Sequence, residues 1–270
     1  MSEQFLPAAT RGGQGVHAHS WWMRAGRSAV LALRVVPRRH RFAAARLLAH
    51  ALEPIVLRTA VYRTWHERLD SVREMALYGV MTLMDREQVP FDPALRVVGA
   101  ELLHDEMRRG RGLLMLGLHQ TLVTLFPRYL HDIGCTPTIV ASTDSFPIVG
   151  TGVAFPALQS SAGLLVRVRT QLRAGGLVCA MIDAGGHEPA PIETASGPKR
   201  ISHSWMRLAH RCQAGILFAS VHLEPKHIVL SLTRPAYAPD ASEDDVVRAV
   251  VSHVSAQTQR MVSLTAAASR

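Results

Sequence analysis

The strongest constraint on the fold of this chain is a change of hydrophobic rhythm near Leu95. From there onward short apolar runs alternate with amphipathic stretches, which is typical of an α/β sheet covered by helices. Two of the runs, 113–118 and 177–182, are apolar throughout, as central strands buried on both faces require. We therefore predict a mixed, largely parallel sheet flanked by helices. The predicted strands are LRVVG, LLMLGL, TPTIVA, LLVRV, LVCAMI, GILFASVHL and HIVLSLT, and the predicted helices lie near 99–110, 120–133, 200–212 and 243–262.

An all-helical layer is predicted before this sheet. Residues 1–20 are polar and glycine-rich without periodicity, which indicates a flexible tail. Residues 21–90 form a predicted N-terminal helical region that faces a membrane, and residues 91–270 form the α/β domain. Within the helical region apolar residues recur at intervals of three and four. Its predicted helices run from Trp21 to Val36, where Pro37 ends the first one, and then over roughly 40–52, 54–62 and 65–86.

Composition excludes several classes of protein. A chain of 270 residues that is 48% hydrophobic and 19% charged can bury a sizeable core, so it is neither disordered nor of low complexity. Its formal net charge of +9 favours anionic partners such as nucleic acid, a membrane surface or a phosphorylated carrier. With 6% aromatic residues and no aromatic-basic motif, nucleic-acid binding ranks last.

Cysteine usage and the N-terminal sequence bear on the compartment. The three cysteines are far apart and none is paired at metal-ligand spacing, so we expect a reduced protein without a metal site. Arg24, Arg27 and Arg34 interrupt the first apolar stretch, which therefore lacks the pattern of a signal peptide. The uncharged run from Ser145 to Val166 contains prolines and is a poor transmembrane helix. We expect a cytoplasmic chain.

Two candidate site residues follow the central strands. His119 comes directly after one buried strand, and Asp183 directly after another, at the strand ends where open α/β sheets place their ligands. A neutral imidazole at such a position can act as a general base on a hydroxyl. The alternatives are a hydrogen-bonded structural histidine and an ordinary turn in which Asp183 is followed by Gly185.

A third block, TASGPKRISHSWMRLAH, concentrates positive charge in front of a helix. Gly197 and Pro198 break the chain, Lys199 and Arg200 follow, and a serine can cap the next helix. A basic loop at a helix N-terminus is suited to bind phosphate. A solvated charged loop is the alternative.

The first predicted helix has a basic face. At 100° per residue, Arg24, Arg27 and Arg34 fall within an arc of about 80°, with Trp22 and Leu33 on the opposite side. Eight arginines against one glutamate in residues 1–50 add to this charge. The pattern suits a helix that lies on anionic lipid. The alternative is an amphipathic helix docked on the rest of the protein.

Taken together, these blocks resemble the lipid A biosynthesis acyltransferases, the late lauroyl and myristoyl transferases within the glycerophosphate and lysophospholipid acyltransferase superfamily. The resemblance runs from about Arg27 to Leu223 through GRGLLMLGLHQTL, LRAGGLVCAMIDAGG and SGPKRISHSWMRLAHRCQAGILFASV, in that order. It implies transfer of a fatty acyl group from acyl carrier protein or acyl-CoA to a hydroxyl of a lipid or other amphiphilic acceptor. His119 would be the general base, and no resident cofactor would be needed. The family usually carries a membrane-spanning N-terminal anchor; the basic helix of this chain predicts instead a peripheral position on the inner face of the cytoplasmic membrane.

The chain departs from that family at one position. The family pairs its histidine with an Asp or Glu after four intervening residues, where this chain has Thr124. A hydroxyl cannot stabilise an imidazolium with a full charge, so Asp183 is the candidate replacement. The alternative is a catalytically degenerate relative that binds lipid or an acyl carrier. Arg169, Lys199 and Arg200 are the candidate partners for phosphates of the carrier or acceptor.

Overall fold

The computed structural model describes residues 26–58, 72–183, 189–194, 197–224 and 226–268. In its N-terminal part, helix α1 covers the described residues 26–32 and a 3₁₀ turn covers Leu33–Val35. The helices α2 and α3 follow at Arg38–Arg58 and Val72–Arg86. The all-helical N-terminal layer is thus confirmed, and the predictions for residues 1–25 and 59–71 lie outside the described residues.

Strands and helices alternate in the remainder of the chain, as predicted. In chain order they are β1 (Leu95–Val98), α4 (Ala100–Arg108), β2 (Leu113–Gly117), a 3₁₀ turn (Thr121–Thr124), α5 (Leu125–Asp132), β3 (Thr138–Ala141), β4 (Ser145–Pro147), β5 (Ala154–Gln159), α6 (Leu164–Arg173), β6 (Leu177–Met181), β7 (Pro189–Thr194), β8 (Gly197–Ser202), α7 (Ser204–Arg211), β9 (Gly215–Leu223), β10 (Ile228–Thr233) and α8 (Glu243–Ala268).

The described strands form a mixed, mostly parallel sheet of eight strands in the order β1-β10-β9-β2-β6-β3-β5-β4. Only the β10–β9 and β5–β4 neighbours are antiparallel within it. The strands β7 and β8 form a separate antiparallel hairpin. The predicted α/β class is therefore confirmed, and β2 and β6 lie side by side near the middle of the sheet.

Two hydrophobic cores cover the two faces of the sheet, because successive strand residues point to opposite sides. On β2, Leu113 and Met115 belong to the first core, whereas Leu114 and Leu116 belong to the second. Side chains of α1 to α5 fill the first core, and those of α6, α7 and α8 fill the second. All five residues of β2 are buried, which explains its continuous apolar sequence.

One predicted strand was wrong, since LLVRV begins helix α6. Its short apolar run alternates like a strand, but Leu164, Val168 and Leu172 are spaced four apart and form one helical face. Val168 and Leu172 are buried in the second core, while Arg169 remains exposed. The helical spacing continues beyond the five-residue run and decides the structure.

Other differences from the prediction lie at Pro54, at the strands β4 and β5, and at the end of the β7–β8 hairpin. We expected a break before Pro54, yet α2 continues through it, and the ring lies on the solvent side at the cost of one backbone hydrogen bond. The strands β4 and β5 were not predicted; Pro156 sits in β5 beside the edge strand of the sheet. Residues 200–202, predicted as helix, belong to β8.

A buried carboxylate joins three elements where β2 and β9 begin. Glu106 is almost fully buried, and its oxygens accept hydrogen bonds from Arg109 at 3.0 Å and from Arg111 at 3.0 and 3.1 Å. Arg234 approaches the same carboxylate at 2.8 Å. A buried charge of this kind requires such partners. The cluster connects α4 to the segments beside β2 and β10.

Gly112 provides a test of the packing where β2 begins. A Cβ atom built there would lie 2.1 Å from the backbone oxygen of Leu172, which cannot move aside as a side chain can. We expect Gly112→Ala to lower the free energy of unfolding by about 1–3 kcal/mol. Urea unfolding followed by circular dichroism measures this change.

Gly79 offers the matched control, since it lies in α3 with nothing within 4 Å of an added Cβ. Gly79→Ala should raise the free energy of unfolding by about 0.5–1 kcal/mol, because alanine favours the helix. Equal effects of the two substitutions would contradict the described packing at Gly112.

Candidate active site

The two central strands bring His119 and Asp183 to the same edge of the sheet. Because β2 and β6 are parallel with Gly117 opposite Met181, their carboxyl ends lie together. The backbone N–H of Ile182 also donates to the carbonyl of Gly117 at 2.9 Å, which continues the pairing past the strand ends. Residues that directly follow these strands are therefore neighbours, although 64 positions separate them in sequence.

The Asp183 carboxylate binds both the ring and the main chain of His119. Its Oδ1 atom lies 2.7 Å from His119 Nδ1. The backbone N–H of His119 donates to Oδ1 at 3.0 Å and to Oδ2 at 3.1 Å. One side chain therefore orients the imidazole and also fixes the backbone that carries it.

This contact determines which nitrogen of His119 is basic. An ionised carboxylate only accepts hydrogen bonds, so Nδ1 carries the proton in the contact with Asp183, and Nε2 of the neutral ring retains its lone pair. The His119 side chain is 43% exposed, whereas that of Asp183 is 13% exposed. A ligand can thus reach an imidazole whose supporting carboxylate is largely shielded from water.

Gln120 fixes the chain beyond His119 and was not among the predicted site residues. Its side-chain Nε2 donates to the carbonyl of Val221 at 2.9 Å, and its Oε1 accepts from the Val221 N–H at 3.1 Å. The buried amide thus imitates a β-ladder pair between the end of β2 and strand β9. In the sequence, Gln120 is recognisable only as a polar residue between His119 and an apolar helix. Ordinary helix-capping turns show the same pattern, so it did not identify Gln120 as a site residue.

Thr124 makes a local hydrogen bond. Its Oγ1 donates to the carbonyl of Thr121 at 3.3 Å within the 3₁₀ turn that leads into α5. In the described part of the chain its side chain has no hydrogen bond to His119. The carboxylate beside the imidazole is therefore that of Asp183, and Thr124 makes no such contact.

Of the three predicted phosphate partners, Arg169 and Arg200 have described side chains, and neither has a hydrogen bond or ion pair with His119. Arg169 is exposed on α6, which packs against the second core, and it has no hydrogen bond or ion pair with a described residue. Arg200 is exposed on β8, and Lys199 lies beside it on the same strand with its side chain outside the described residues. The hairpin does approach the site, because the Ser202 N–H donates to the carbonyl of Ile182 at 2.8 Å.

The apolar face of α1 packs against the protein itself. Val30 and Leu33 are buried in the first core. On the basic face, Arg27 pairs with the Glu87 carboxylate at 2.8 Å, and Arg34 donates to the Glu87 carbonyl at 2.7 Å. Trp21, Trp22 and Arg24 lie outside the described residues. No helix in the described ranges is both long and apolar enough to cross a membrane.

Two of the cysteines, Cys135 and Cys179, are not activated thiols. Burial raises the pKa of Cys135, and burial raises the pKa of Cys179 to about 12. Both side chains therefore remain protonated near neutral pH and are weak nucleophiles. The described residues also contain no group of three His, Cys, Asp or Glu side chains arranged to hold a metal ion.

The chain matches no protein-family model, and no curated protein sequence matches it. What the site can do chemically follows from its own residues, above all from the His119–Asp183 pair.

The double role of Asp183 makes a structural prediction. In Asp183→Asn the hydrogen bonds lose their charged acceptor, and the new NH₂ group cannot accept from His119. Bonds to charged groups contribute about 1.5–3 kcal/mol, so we expect the His119 backbone amide to exchange with solvent at least about tenfold faster, which corresponds to about 1.4 kcal/mol. Hydrogen exchange followed by NMR measures this.

Thr124→Val is the control, because it preserves shape and removes only the bond to the Thr121 carbonyl. It should leave exchange of the His119 amide unchanged. Equal protection in parent and Asp183→Asn would show that the carboxylate does not fix this backbone.

Proposed function

We propose that the protein is an acyltransferase similar to the lipid A biosynthesis acyltransferases, with His119 as the general base. The observation that carries this proposal is the 2.7 Å contact between His119 Nδ1 and Asp183, which leaves Nε2 basic on an accessible ring. A histidine oriented by a carboxylate is the arrangement that activates a hydroxyl. In this proposal Asp183 orients the imidazole, a role that the family gives to an Asp or Glu separated from its histidine by four residues.

The proposed reaction is a single acyl transfer. The acceptor hydroxyl donates its proton to His119 Nε2 as its oxygen attacks the thioester carbonyl carbon. The tetrahedral intermediate collapses, the C–S bond breaks, and the proton passes from Nε2 to the departing sulfur. The products are an ester and a free thiol, and the Asp183 carboxylate stabilises the imidazolium while it exists. The reaction requires no resident metal or redox cofactor.

Backbone amides near His119 are the proposed site for the thioester oxygen. The 3₁₀ turn that begins at Thr121 leads directly into α5, and the amides at the start of a helical segment favour developing negative charge. Because Gln120 joins this turn to β9, its amides are held on a rigid support. We assign the oxyanion to these donors.

The donor is proposed to be acyl carrier protein or acyl-CoA, and the acceptor a lipid or other amphiphile. The β7–β8 hairpin carries Lys199 and Arg200 and is bonded to Ile182, one residue before Asp183. These two residues suit phosphates close to the site. Arg169, exposed on α6, suits a contact with the surface of a protein-borne carrier.

A peripheral position on the inner face of the cytoplasmic membrane completes the proposal. Arg27 on α1 and Arg34 on the following 3₁₀ turn are exposed, and together with the basic balance of the chain they favour an anionic surface. Since the buried face of α1 contacts the first core, the attraction would come from charge rather than from insertion of that face.

Substitutions of the pair test the chemistry. We expect His119→Ala to lower acyl transfer by about 10²–10⁴-fold, because it removes the general base. Asp183→Asn should lower it by more than about tenfold, since the ring loses its orienting charge. Incubation with acyl-CoA or acyl carrier protein and a lipid extract, followed by mass spectrometry, detects the product.

The variant Thr124→Asp tests whether Asp183 already supplies the carboxylate that His119 needs. A carboxylate there would add a second negative charge near His119, so we expect unchanged or reduced turnover rather than a gain. A rise of an order of magnitude would mean that Asp183 does not supply the missing function. Circular dichroism of each variant checks that the fold is intact.

The second candidate function is binding of lipid or an acyl carrier without turnover, and Thr124 is the residue that favours it. Such a protein would show no product with any donor, and His119→Ala would leave binding unchanged. A measurable rate that depends on both His119 and Asp183 separates the enzyme from the binding protein.

The proposed contact with an anionic membrane can be tested separately from the acyl transfer. Reversing the charges of Arg24, Arg27 and Arg34 should weaken binding to anionic vesicles, because each basic residue near such a surface contributes roughly 1 kcal/mol. Added salt should weaken the parent in the same way. Vesicle cosedimentation measures both effects.

Reversal at three exposed arginines elsewhere, Arg108, Arg173 and Arg248, changes the net charge equally and serves as the control. It should have a smaller effect than reversal of Arg24, Arg27 and Arg34. Equal loss in both variants, or binding that salt does not weaken, would contradict membrane contact through these three arginines.

A further inference from the structure

A groove separate from the His119–Asp183 pair lies between α2, α3 and the turn that joins β9 to β10. Its cavity volume is about 600 Å³, within the range of small-molecule sites. Phe42, Ala49 and Leu77 line it and are buried, so its floor is apolar. Leu47, also in the lining, is 73% exposed. We call this feature the α2–α3 groove.

The sides of the groove are basic. Arg39, Arg46, Arg73 and Lys226 line it, and Asp92 is the one acidic side chain in its described lining. Asp92 already accepts a hydrogen bond from Arg38 at 2.8 Å. The groove therefore combines an apolar floor with an excess of positive charge.

Arg46 carries a charge that its described neighbours do not neutralise. Its guanidinium is partly buried and donates to the carbonyl of Glu224 at 2.8 Å, a neutral acceptor. Burial, and after it the charge of Arg73, lowers the pKa of Arg46. Arg73 itself pairs with Glu53 at 2.8 Å. In the ranges that the structure describes, no carboxylate lies within ion-pair distance of Arg46.

We propose that the α2–α3 groove binds one amphiphile, with a phosphate-class anion between Arg46 and Arg73 and an acyl chain along Leu47 over the apolar floor. Guanidinium groups match phosphate geometry and neutralise its charge. Burial of the chain on the apolar floor supplies the remaining affinity. An anion at this point also relieves the repulsion between the two arginines.

The groove lies on the same edge of the sheet as the His119–Asp183 pair. Leu223, at the end of β9, lines the groove. Two residues earlier, Val221 is bonded to Gln120, the neighbour of His119. An anionic amphiphile bound here is suited to be the acyl acceptor. That role rests on the proposed function, whereas binding itself does not.

Isothermal titration calorimetry on the full chain tests the binding. The probe is a short-chain lysophosphatidate below its critical micelle concentration. We expect it to bind at least about tenfold more tightly than the monoacylglycerol of the same chain, than glycerol 3-phosphate and than inorganic phosphate. Tight binding of inorganic phosphate alone would instead indicate a simple anion site and overturn the proposal.

Variants of the groove locate the bound amphiphile. Arg46→Gln and Arg73→Gln should each weaken lysophosphatidate at least about tenfold, and Arg46→Lys should lose less. Arg108→Gln, at an exposed arginine on α4, removes the same charge and should bind like the parent. Thermal denaturation of each variant confirms that it is folded, and Leu47→Asp provides a second variant at an exposed position in the lining.

His119→Ala separates this inference from the proposed function. That variant should bind lysophosphatidate as the parent does, so a protein without transferase activity can still support the groove. Equal binding by Arg46→Gln and Arg108→Gln overturns the inference. Binding of monoacylglycerol as tightly as lysophosphatidate would also overturn the inference. So would a protein that binds anionic vesicles but does not bind lysophosphatidate below its critical micelle concentration.

Discussion

The parallel pairing of β2 with β6 is the constraint on which the rest of the structure depends. β2 is buried on both faces, so its position is set by apolar contacts above and below the sheet. The register opposite β6 then determines which residues emerge together at the carboxyl edge. A shift by one residue would turn each side chain to the other face, and His119 would no longer meet Asp183.

Local sequence patterns predicted most of the fold because most elements follow their own periodicity. The central strands are continuous apolar runs, and α4 and α8 have helical spacing. One failure was local: the run at Leu164 is too short to distinguish strand from helix, and the helical spacing shows only when it is followed on to Leu172. Another failure came where tertiary contacts decide. β5 contains Pro156, and only its neighbours in the sheet reveal it as a strand.

Two residues of the candidate site, His119 and Asp183, were predictable from the sequence, whereas its contacts were not. His119 and Asp183 each follow a buried strand, so both could be selected from the sequence. That these strands are neighbours depends on sheet order, which one sequence does not reveal. The same limit applies to Arg169, selected for its charge but carried by a helix on the second core. Gln120 acts through a backbone contact on β9, which no local pattern encodes.

The position of Asp183 in the chain, directly after β6, determines what holds the His119 ring in place. In the family on which the proposed function draws, the acid follows the histidine after four intervening residues. Here the carboxylate follows another strand and also binds the backbone N–H of His119. The orientation of the ring is therefore coupled to sheet pairing, and one ionised group supports both the imidazole and its main chain. Such a hydrogen-bond network is rigid only while every bond is made. Loss of the pairing between β2 and β6 would therefore disrupt the sheet and also move the basic nitrogen of His119 out of position.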